Sequence, residues 1–128
     1  MAKFLTNDWM QALNDTVNAH DGFRNAIANV ELTLQFEVPD APEGAEKRYY
    51  LQIQNGELAA IAGDAASPDA TITNSYETAM AVSKGEMNTQ MAFMSGKLKV
   101  SGNMAKIMMN QGTFNAFADA ASGVDVEY

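Results

Sequence analysis

The sequence predicts an α+β fold in which five strands form a mixed sheet and helices cover one face of that sheet. Three observations lead to this prediction. Apolar residues recur at helical spacing near the start of the chain, alternating stretches follow, and helical segments then flank a last short strand. No linker-like stretch divides the chain, so we expect a single domain spanning residues 1–128.

Residues 6–19 carry the pattern of the first helix. Trp9, Leu13 and Val17 recur there at four-residue spacing among largely polar residues. A helix of this kind buries one face and exposes the other. Thr6 or Asn7 can cap it, because the side-chain oxygen of either residue can accept a hydrogen bond from a free N–H group of the first turn.

Strict alternation of apolar and polar residues predicts the first strand of the sheet over residues 30–38. Two further alternating stretches, residues 47–54 and 57–62, flank the pair Asn55-Gly56. This pair favours a type I′ turn, because both central positions of that turn require a positive φ angle. We therefore expect the two stretches to form a hairpin.

The second half of the chain is predicted to hold two short strands and most of the helices. In chain order these are a strand over residues 69–73, helices over residues 76–82 and 86–94, a strand over residues 97–101 and a helical region from residue 103. Asn74 or Ser75 can cap the first of these helices. The helices are expected to gather on one face of the sheet.

The last helical region is predicted to divide into two helices. One unbroken helix would place Phe117 on the polar side of the wheel, away from Met104 and Ile107. A break at Gly112, with Thr113 as the cap of the second helix, returns Phe117 to an apolar stripe.

Seven of the nine methionines lie between residues 80 and 109. One interpretation is that they pack in the core, because methionine fills irregular gaps. The other is that they line a lipid cavity, because unbranched thioether side chains can re-pack around ligands of different shape. Gln111 lies on the apolar side of the same helical stripe, where a buried amide needs a ligand head group or a backbone carbonyl as its partner.

The net charge of −8 at pH 7 and a pI near 4.4 argue against nucleic-acid binding through a broad basic face. The basic residues are nevertheless concentrated in one region. Four of the eight, Lys84, Lys97, Lys99 and Lys106, lie in a stretch that contains a single acid, Glu86. We therefore expect no nucleic-acid partner but a locally positive surface.

The fifth predicted strand has two different faces. Alternation puts Lys97 and Lys99 on its solvent face and Leu98 and Val100 on its inner face. The two lysines are thus candidates for contact with anionic head groups.

Catalytic and metal sites are not predicted. The chain has no cysteine and a single histidine, His20, beside Asp21. It has no HExxH or GxSxG motif, and GKLKVSG lacks the spacing of a phosphate-binding loop. The sixteen carboxylates are scattered over predicted loops and solvent faces. We therefore expect no enzymatic activity, no metal and no cofactor.

The expected location is the cytoplasm. The first residues, MAKFLTNDWMQ, contain no apolar run typical of a signal peptide, and the last ones, VDVEY, do not match a peroxisomal address. No segment approaches the ~18 consecutive apolar residues of a transmembrane helix. The absence of cysteine suits a reducing compartment.

The stretch KGEMNTQMAFMSGKLKVSGNMAKIMMNQ, residues 84–111, closely resembles the most recognisable block of the sterol carrier protein 2 (SCP2) superfamily. That block consists of a helix ended by glycine, a short helix with Gln and Ala-Phe, then Gly-Lys-Leu-Lys, Gly-Asn-Met and a helix with a late Gln. The matching positions are Gly85, Gln90, Ala92, Phe93, residues 96–99, residues 102–104 and Gln111. Weaker agreement extends over residues 6–112.

The resemblance implies an SCP2-like fold with an apolar tunnel between the sheet and the helices. Such domains bind fatty acids, fatty acyl-CoA, phospholipids or sterols, without cofactor and without catalysis. The methionines would line a deformable tunnel, and Lys97 and Lys99 would lie near an anionic head group. The residues expected to line the tunnel are Phe93, Met94, Leu98, Val100, Met104, Ile107, Met108, Gln111, Phe114 and Phe117.

Two functions are compatible with these features. The first is a non-enzymatic lipid carrier that makes transient contact with membranes. The second is a structural or regulatory module whose apolar groove binds a protein partner or a second copy of the chain, giving a homodimer. Both uses favour Met and Phe, so the sequence does not separate them.

Overall fold

The computed structural model of the chain describes residues 2–87 and 89–128. A five-stranded mixed sheet with helices confirms the predicted α+β class. The elements are β1 (Ala2–Lys3), α1 (Asn7–Asn18), α2 (Asp21–Ala26), β2 (Leu32–Glu37), β3 (Arg48–Gln54), β4 (Glu57–Ala62), β5 (Ala70–Asn74), α3 (Tyr76–Ser83), α4 (Thr89–Met94), β6 (Leu98–Gly102), α5 (Met104–Met109), α6 (Gln111–Ala121) and β7 (Val126–Glu127).

The sheet has the strand order β4-β3-β2-β5-β6. Strands β2 and β5 are parallel, and the other neighbours are antiparallel. Strands β1 and β7 form a separate parallel pair near the chain ends. The long sheet therefore has two edges, β4 at one side and β6 at the other.

Helix α1 closes the β4 edge of the sheet. Its buried stripe includes Trp9, Leu13 and Val17, as the spacing predicted, and the Thr6 hydroxyl accepts a hydrogen bond from Trp9 N at 3.3 Å. Its polar side also contributes, because Asn14 and Asn18 hydrogen-bond to the backbone of β4. These amides satisfy backbone groups that an edge strand would otherwise leave unpaired.

The hairpin of β3 and β4 confirms the turn prediction. Asn55 and Gly56 have φ angles of 54° and 75°, as a type I′ turn requires. The turn sets a register in which Leu51 faces Ala60. Both of these side chains are buried beneath the helices.

The break between the last two helices lies at Asn110, so the predicted break at Gly112 is wrong. The Asn110 side chain donates a hydrogen bond from Nδ2 to Lys106 O at 2.7 Å, which satisfies a carbonyl of the last turn of α5. Gly112 and Thr113 both lie inside α6, and Thr113 is buried instead of capping the helix.

Two further differences concern the ends and faces of elements. The helix predicted from residue 86 begins at Thr89, and residue 88 lies outside the described residues. Gln35, which alternation places on the solvent face, is buried. Its Nε2 donates to Tyr49 O and Gly63 O, both at 3.1 Å, and its Oε1 accepts from Ala65 N at 2.7 Å. The segment after β4 therefore covers this part of the outer face.

Candidate functional site

The inner face of the sheet is an apolar floor beneath the helices. Phe36, Ile72 and Val100 lie side by side in the register of β2, β5 and β6. Tyr49 pairs with Phe36, and their rings stack with centroids 5.0 Å apart. Phe36 and Val100 are only partly buried. The side chains above them therefore leave part of this floor uncovered.

The second half of the chain contributes few large buried side chains to the core. The apolar residues that are buried beyond residue 68 are Ala70, Ile72, Ala79, Ala92, Leu98 and Ala120. Helix α5 has no buried residue. By contrast, α1 alone buries Trp9, Met10, Leu13 and Val17. The core is thus densely filled on the β4 side and loosely covered on the β6 side.

Several predicted tunnel residues are buried or partly buried. Leu98 is buried, and Val100 and Ile107 are partly buried against the core. Phe114 and Phe117 on α6 are also partly buried, and Met104 on α5 has intermediate exposure. The Phe117 ring lies 6.2 Å from the ring of Phe23 on α2.

Other predicted site residues lie at the surface. Met94 is 79% exposed and Met108 is 66% exposed, and Phe93 and Gln111 are exposed as well. The prediction of Gln111 as a buried amide is therefore wrong. The helical wheel assumed that α5 continued through this position, whereas the chain changes direction at Asn110.

Two cavities that the described residues form bear on the site, and both are open to solvent. A polar one of about 540 Å³ lies between α2 and the β3–β4 turn, and it contains none of the predicted site residues. The second, which we call the sheet-end groove, measures about 310 Å³. It is lined by Pro39, Asp40, Thr73, Asn74, Ser75, Gly96, Lys97 and Lys99. An enclosed apolar tunnel is not shown by the described residues, so the tunnel stays a prediction.

Two of the four lysines in the predicted positive region contact other side chains in the structure. Lys106 forms an ion pair with Asp69 at 3.1 Å, and the Lys84 ammonium lies 4.8 Å from the centre of the Tyr128 ring. Lys97 and Lys99 are exposed and have no ion-pair partner among the described residues. Both line the sheet-end groove, as contact with an anionic group would require.

Asn74 is a candidate that sequence reasoning considered only as a helix cap. Ser75 is the actual cap of α3, because its hydroxyl accepts a hydrogen bond from Thr78 N at 3.1 Å. The Oδ1 atom of Asn74 is buried and has no hydrogen-bond partner within residues 2–87 and 89–128. The alternation of Ala70, Ile72 and Asn74 on one face could have indicated this inward position.

The titratable groups with altered environments have structural roles. Burial raises the pKa of the Tyr49 phenol, which is packed against Phe36 and Trp9. A hydrogen bond from Arg48 to Asp64, together with the charges of Asp64 and Glu37, raises the pKa of the exposed Arg48 guanidinium. These groups lie in the aromatic core and on the outer sheet face.

The single histidine also has a structural contact. Its Nδ1 atom caps α2 by accepting a hydrogen bond from Phe23 N at 3.0 Å, and its Nε2 atom lies 3.7 Å from Asp119. Within the described parts of the chain, no three His, Cys, Asp or Glu residues are grouped in a way that could hold a metal ion. Those same parts contain no helix with the length and apolar character needed to cross a bilayer.

Comparisons with known proteins agree with this architecture. A crystal structure of sterol carrier protein 2 superposes with a TM-score of 0.77 at 21% identity, covering 96% of this chain and 100% of that one. Sterol carrier protein 2 of Bos taurus is 37% identical over 76 residues, which is 59% of this chain and 14% of the bovine protein. The chain thus corresponds to a small part of that relative.

A second relative is described as an enzyme. Peroxisomal multifunctional enzyme A of Dictyostelium discoideum is 42% identical over 55 residues, which is 42% of this chain and 12% of the enzyme. The family model described as the SCP-2 sterol transfer family matches residues 10–115. This match covers most of the strands, the loosely covered floor and the sheet-end groove, and the chain therefore belongs to the SCP-2 sterol transfer family.

Proposed function

We propose that the chain binds and carries a lipid between the inner face of the sheet and helices α3 to α6. The observation that carries this proposal is the incomplete cover of the apolar floor, where Phe36 and Val100 are only partly buried. An apolar ligand would remove these surfaces from water and complete the core. Membership of the SCP-2 sterol transfer family supports a lipid as that ligand.

The proposed ligands are a fatty acid, a fatty acyl-CoA, a phospholipid or a sterol-like molecule. The side chains nearest the incomplete cover differ in how they would adapt to these shapes. Val100 and Phe36 are on strands and provide a fixed floor. Met104 and Ile107 are on the short helix α5, which has no buried residue and can shift at small cost in packing.

The exposed side chains at the β6 edge would act after a movement of the helices or at a membrane. Met94 and Met108 do not face the core in the described arrangement. Their proposed contact with the ligand therefore requires α4 or α5 to close over it. Transient membrane contact through the same methionines would give a lipid a route into the protein.

Carriage without catalysis is the proposed activity of this chain. Support comes from His20, the single histidine, whose Nδ1 atom is held in a helix cap. A multifunctional enzyme contains a related stretch, but that stretch is 12% of its length. Any catalysis by such a protein is compatible with a carrier role for this part. A cytoplasmic location remains a prediction.

The second candidate function is association with a protein partner or a second copy. It is favoured by exposed apolar side chains on α4 and α5, among which Met94 and Met109 are 79% and 83% exposed. Contiguous exposed apolar patches, unlike single exposed side chains, commonly mark interaction surfaces. This function would use the outside of the helices, whereas lipid carriage uses the space beneath them.

The proposed function is tested by native mass spectrometry and thermal unfolding. Co-purifying lipid, or a rise in the thermal midpoint with hexadecanoic acid, hexadecanoyl-CoA, a phospholipid or a sterol, would support carriage. A ligand at a hundredfold excess over its Kd stabilises the folded state by about 2.7 kcal/mol. A lipid-free dimer whose midpoint does not respond to any of these lipids would contradict carriage and favour the association module.

A further inference from the structure

We propose that the sheet-end groove holds the anionic head group of the bound lipid, and that Asn74 is a polar contact at its inner wall. This inference rests on the proposed lipid-carrier function and adds to it the chemistry of the ligand's polar end. That end carries a carboxylate or a phosphate group. The acyl chain would lie on the apolar floor beneath the helices.

The position of the groove connects the two faces of the sheet. In the register of β5 and β6, Thr73 pairs with Lys99, and the next residue, Asn74, pairs with Leu98. Successive side chains on a strand point to opposite faces. A groove lined by both Thr73 and Asn74 therefore reaches around the end of the sheet. Leu98 is buried on the inner face, so the apolar floor begins next to the groove.

The charges that line the groove favour an anion. Lys97 and Lys99 are exposed and have no ion-pair partner in the described part of the chain. Asp40 is the only carboxylate among the described lining residues, and it accepts a hydrogen bond from Tyr76 N at 2.8 Å at the start of α3. Two positive charges thus oppose one negative charge, although the whole chain carries −8. The two lysines therefore attract anions to the groove, whereas the net negative charge of the chain repels anions elsewhere.

The unpaired amide of Asn74 supplies an independent observation. Its Oδ1 atom is buried without a partner among the described residues. Buried polar atoms in native proteins nearly always have a hydrogen-bond partner, and an unpaired one destabilises the fold. The Asn74 residue as a whole is only partly buried, so a change of its side-chain rotamer can turn Nδ2 toward the groove, where it can donate to an anionic oxygen. A head group in the groove would therefore satisfy Asn74.

The test compares two lipids that differ only at the polar end. The affinities of hexadecanoate and hexadecanol are measured by calorimetry on the full chain at low and high salt. Lys97→Gln with Lys99→Gln is expected to weaken hexadecanoate binding roughly 3- to 10-fold at low salt and less at high salt, because exposed charges are screened. Hexadecanol binding should not change. The matched control, Lys3→Gln with Arg24→Gln, alters the net charge equally at exposed residues that do not line the groove and should leave both affinities unchanged.

Asn74→Leu separates a binding role from a structural role. Without its unpaired amide, the unliganded variant should unfold at a higher temperature than the original protein while binding hexadecanoate more weakly. A lower midpoint would show that Asn74 has a partner inside the protein and would overturn its assignment. If Asn74→Leu does not fold, that outcome also counts against an unsatisfied Asn74, and the exposed lysine variants still test the groove.

The remaining outcomes separate the groove from the carrier function. If the original protein binds neither lipid, the head-group inference is overturned, and the wider lipid panel of the thermal-unfolding test decides whether the proposed function fails as well. If it binds both and the lysine variant loses both equally or neither, carriage stands and the groove inference is overturned. Acetate tests a free anion as the ligand. It is expected not to compete with hexadecanoate, and competition at equal concentration would overturn the lipid head group as the occupant.

Discussion

The two sides of the helical layer differ in how completely their side chains cover the same sheet. On the β4 side, α1 buries large side chains such as Trp9 and Leu13, and Asn14 and Asn18 hydrogen-bond to the edge strand. On the β6 side, Ala92 is the buried apolar side chain of the described part of α4, and α5 buries none. This contrast indicates that the first side holds the fold together, and in the proposed carrier a lipid would complete the second.

The contrast also explains why methionines are concentrated in one region. Large methionine side chains at the β6 side cover the floor partly or lie outside it, as Met104 and Met108 show. A dense core would have immobilised them by packing on all sides. In the proposed carrier, incompletely packed methionines would be able to rearrange around ligands that differ in shape.

The largest expected effect is on the densely filled side. Leu13 is 1% exposed, so Leu13→Ala should lower the free energy of unfolding by about 2–5 kcal/mol through lost burial and a residual cavity. Ile107→Ala on α5 removes a partly buried side chain and should cost clearly less, about 1 kcal/mol. Urea denaturation of both variants measures the difference. Equal losses would show that the two sides are packed alike.

A second prediction compares the two sides by enlarging a side chain on each, where the first prediction shortened one. Leu34→Trp overfills the closed part of the inner face and should cost about 1–3 kcal/mol or more. Val100→Trp lies under the incomplete cover, so the unliganded protein should lose little stability, whereas its affinity for lipid should fall steeply. Denaturation midpoints and lipid titrations of both variants provide the test. A strongly destabilised Val100→Trp protein would mean that the space above this residue is already filled.

The smallest expected effect on stability concerns the exposed methionines. Met94→Gln with Met109→Gln should change the free energy of unfolding by no more than about 0.5 kcal/mol per site, because both side chains lie largely in solvent. Sedimentation of the same variant sharpens the comparison with the association function. Dissociation of a dimer by these two changes would assign the exposed surface to self-association.

Local patterns in the sequence were sufficient to predict the strands and the hairpin. Alternation identified β2, β3 and β4, and Asn55-Gly56 identified the turn, because these signals depend on neighbours along the chain. The resemblance of residues 84–111 to the SCP2 superfamily supplied the family.

The details that failed depend on contacts between distant segments. Gln35 is buried because the segment after β4 folds over it, and this contact leaves no trace in the alternation of β2. The break at Asn110 depends on which side chain satisfies the end of α5, and both Asn110 and Gly112 were suitable residues. Gln111 is exposed at the start of α6, just beyond that break, whereas Met108 is exposed within α5 itself.

Hydrogen exchange of the chain with and without hexadecanoate tests the central claim most directly. At exchange times of seconds to minutes, we expect lipid to slow the backbone amides of α4, α5 and α6 most, because few side chains are buried among the described residues of these helices, which favours local opening. The amides of α1 and β2 to β4 should change little over the same times. Unchanged exchange in α4 to α6 with lipid bound, or the largest slowing in α1 and β4, would contradict a lipid site on the loosely covered side.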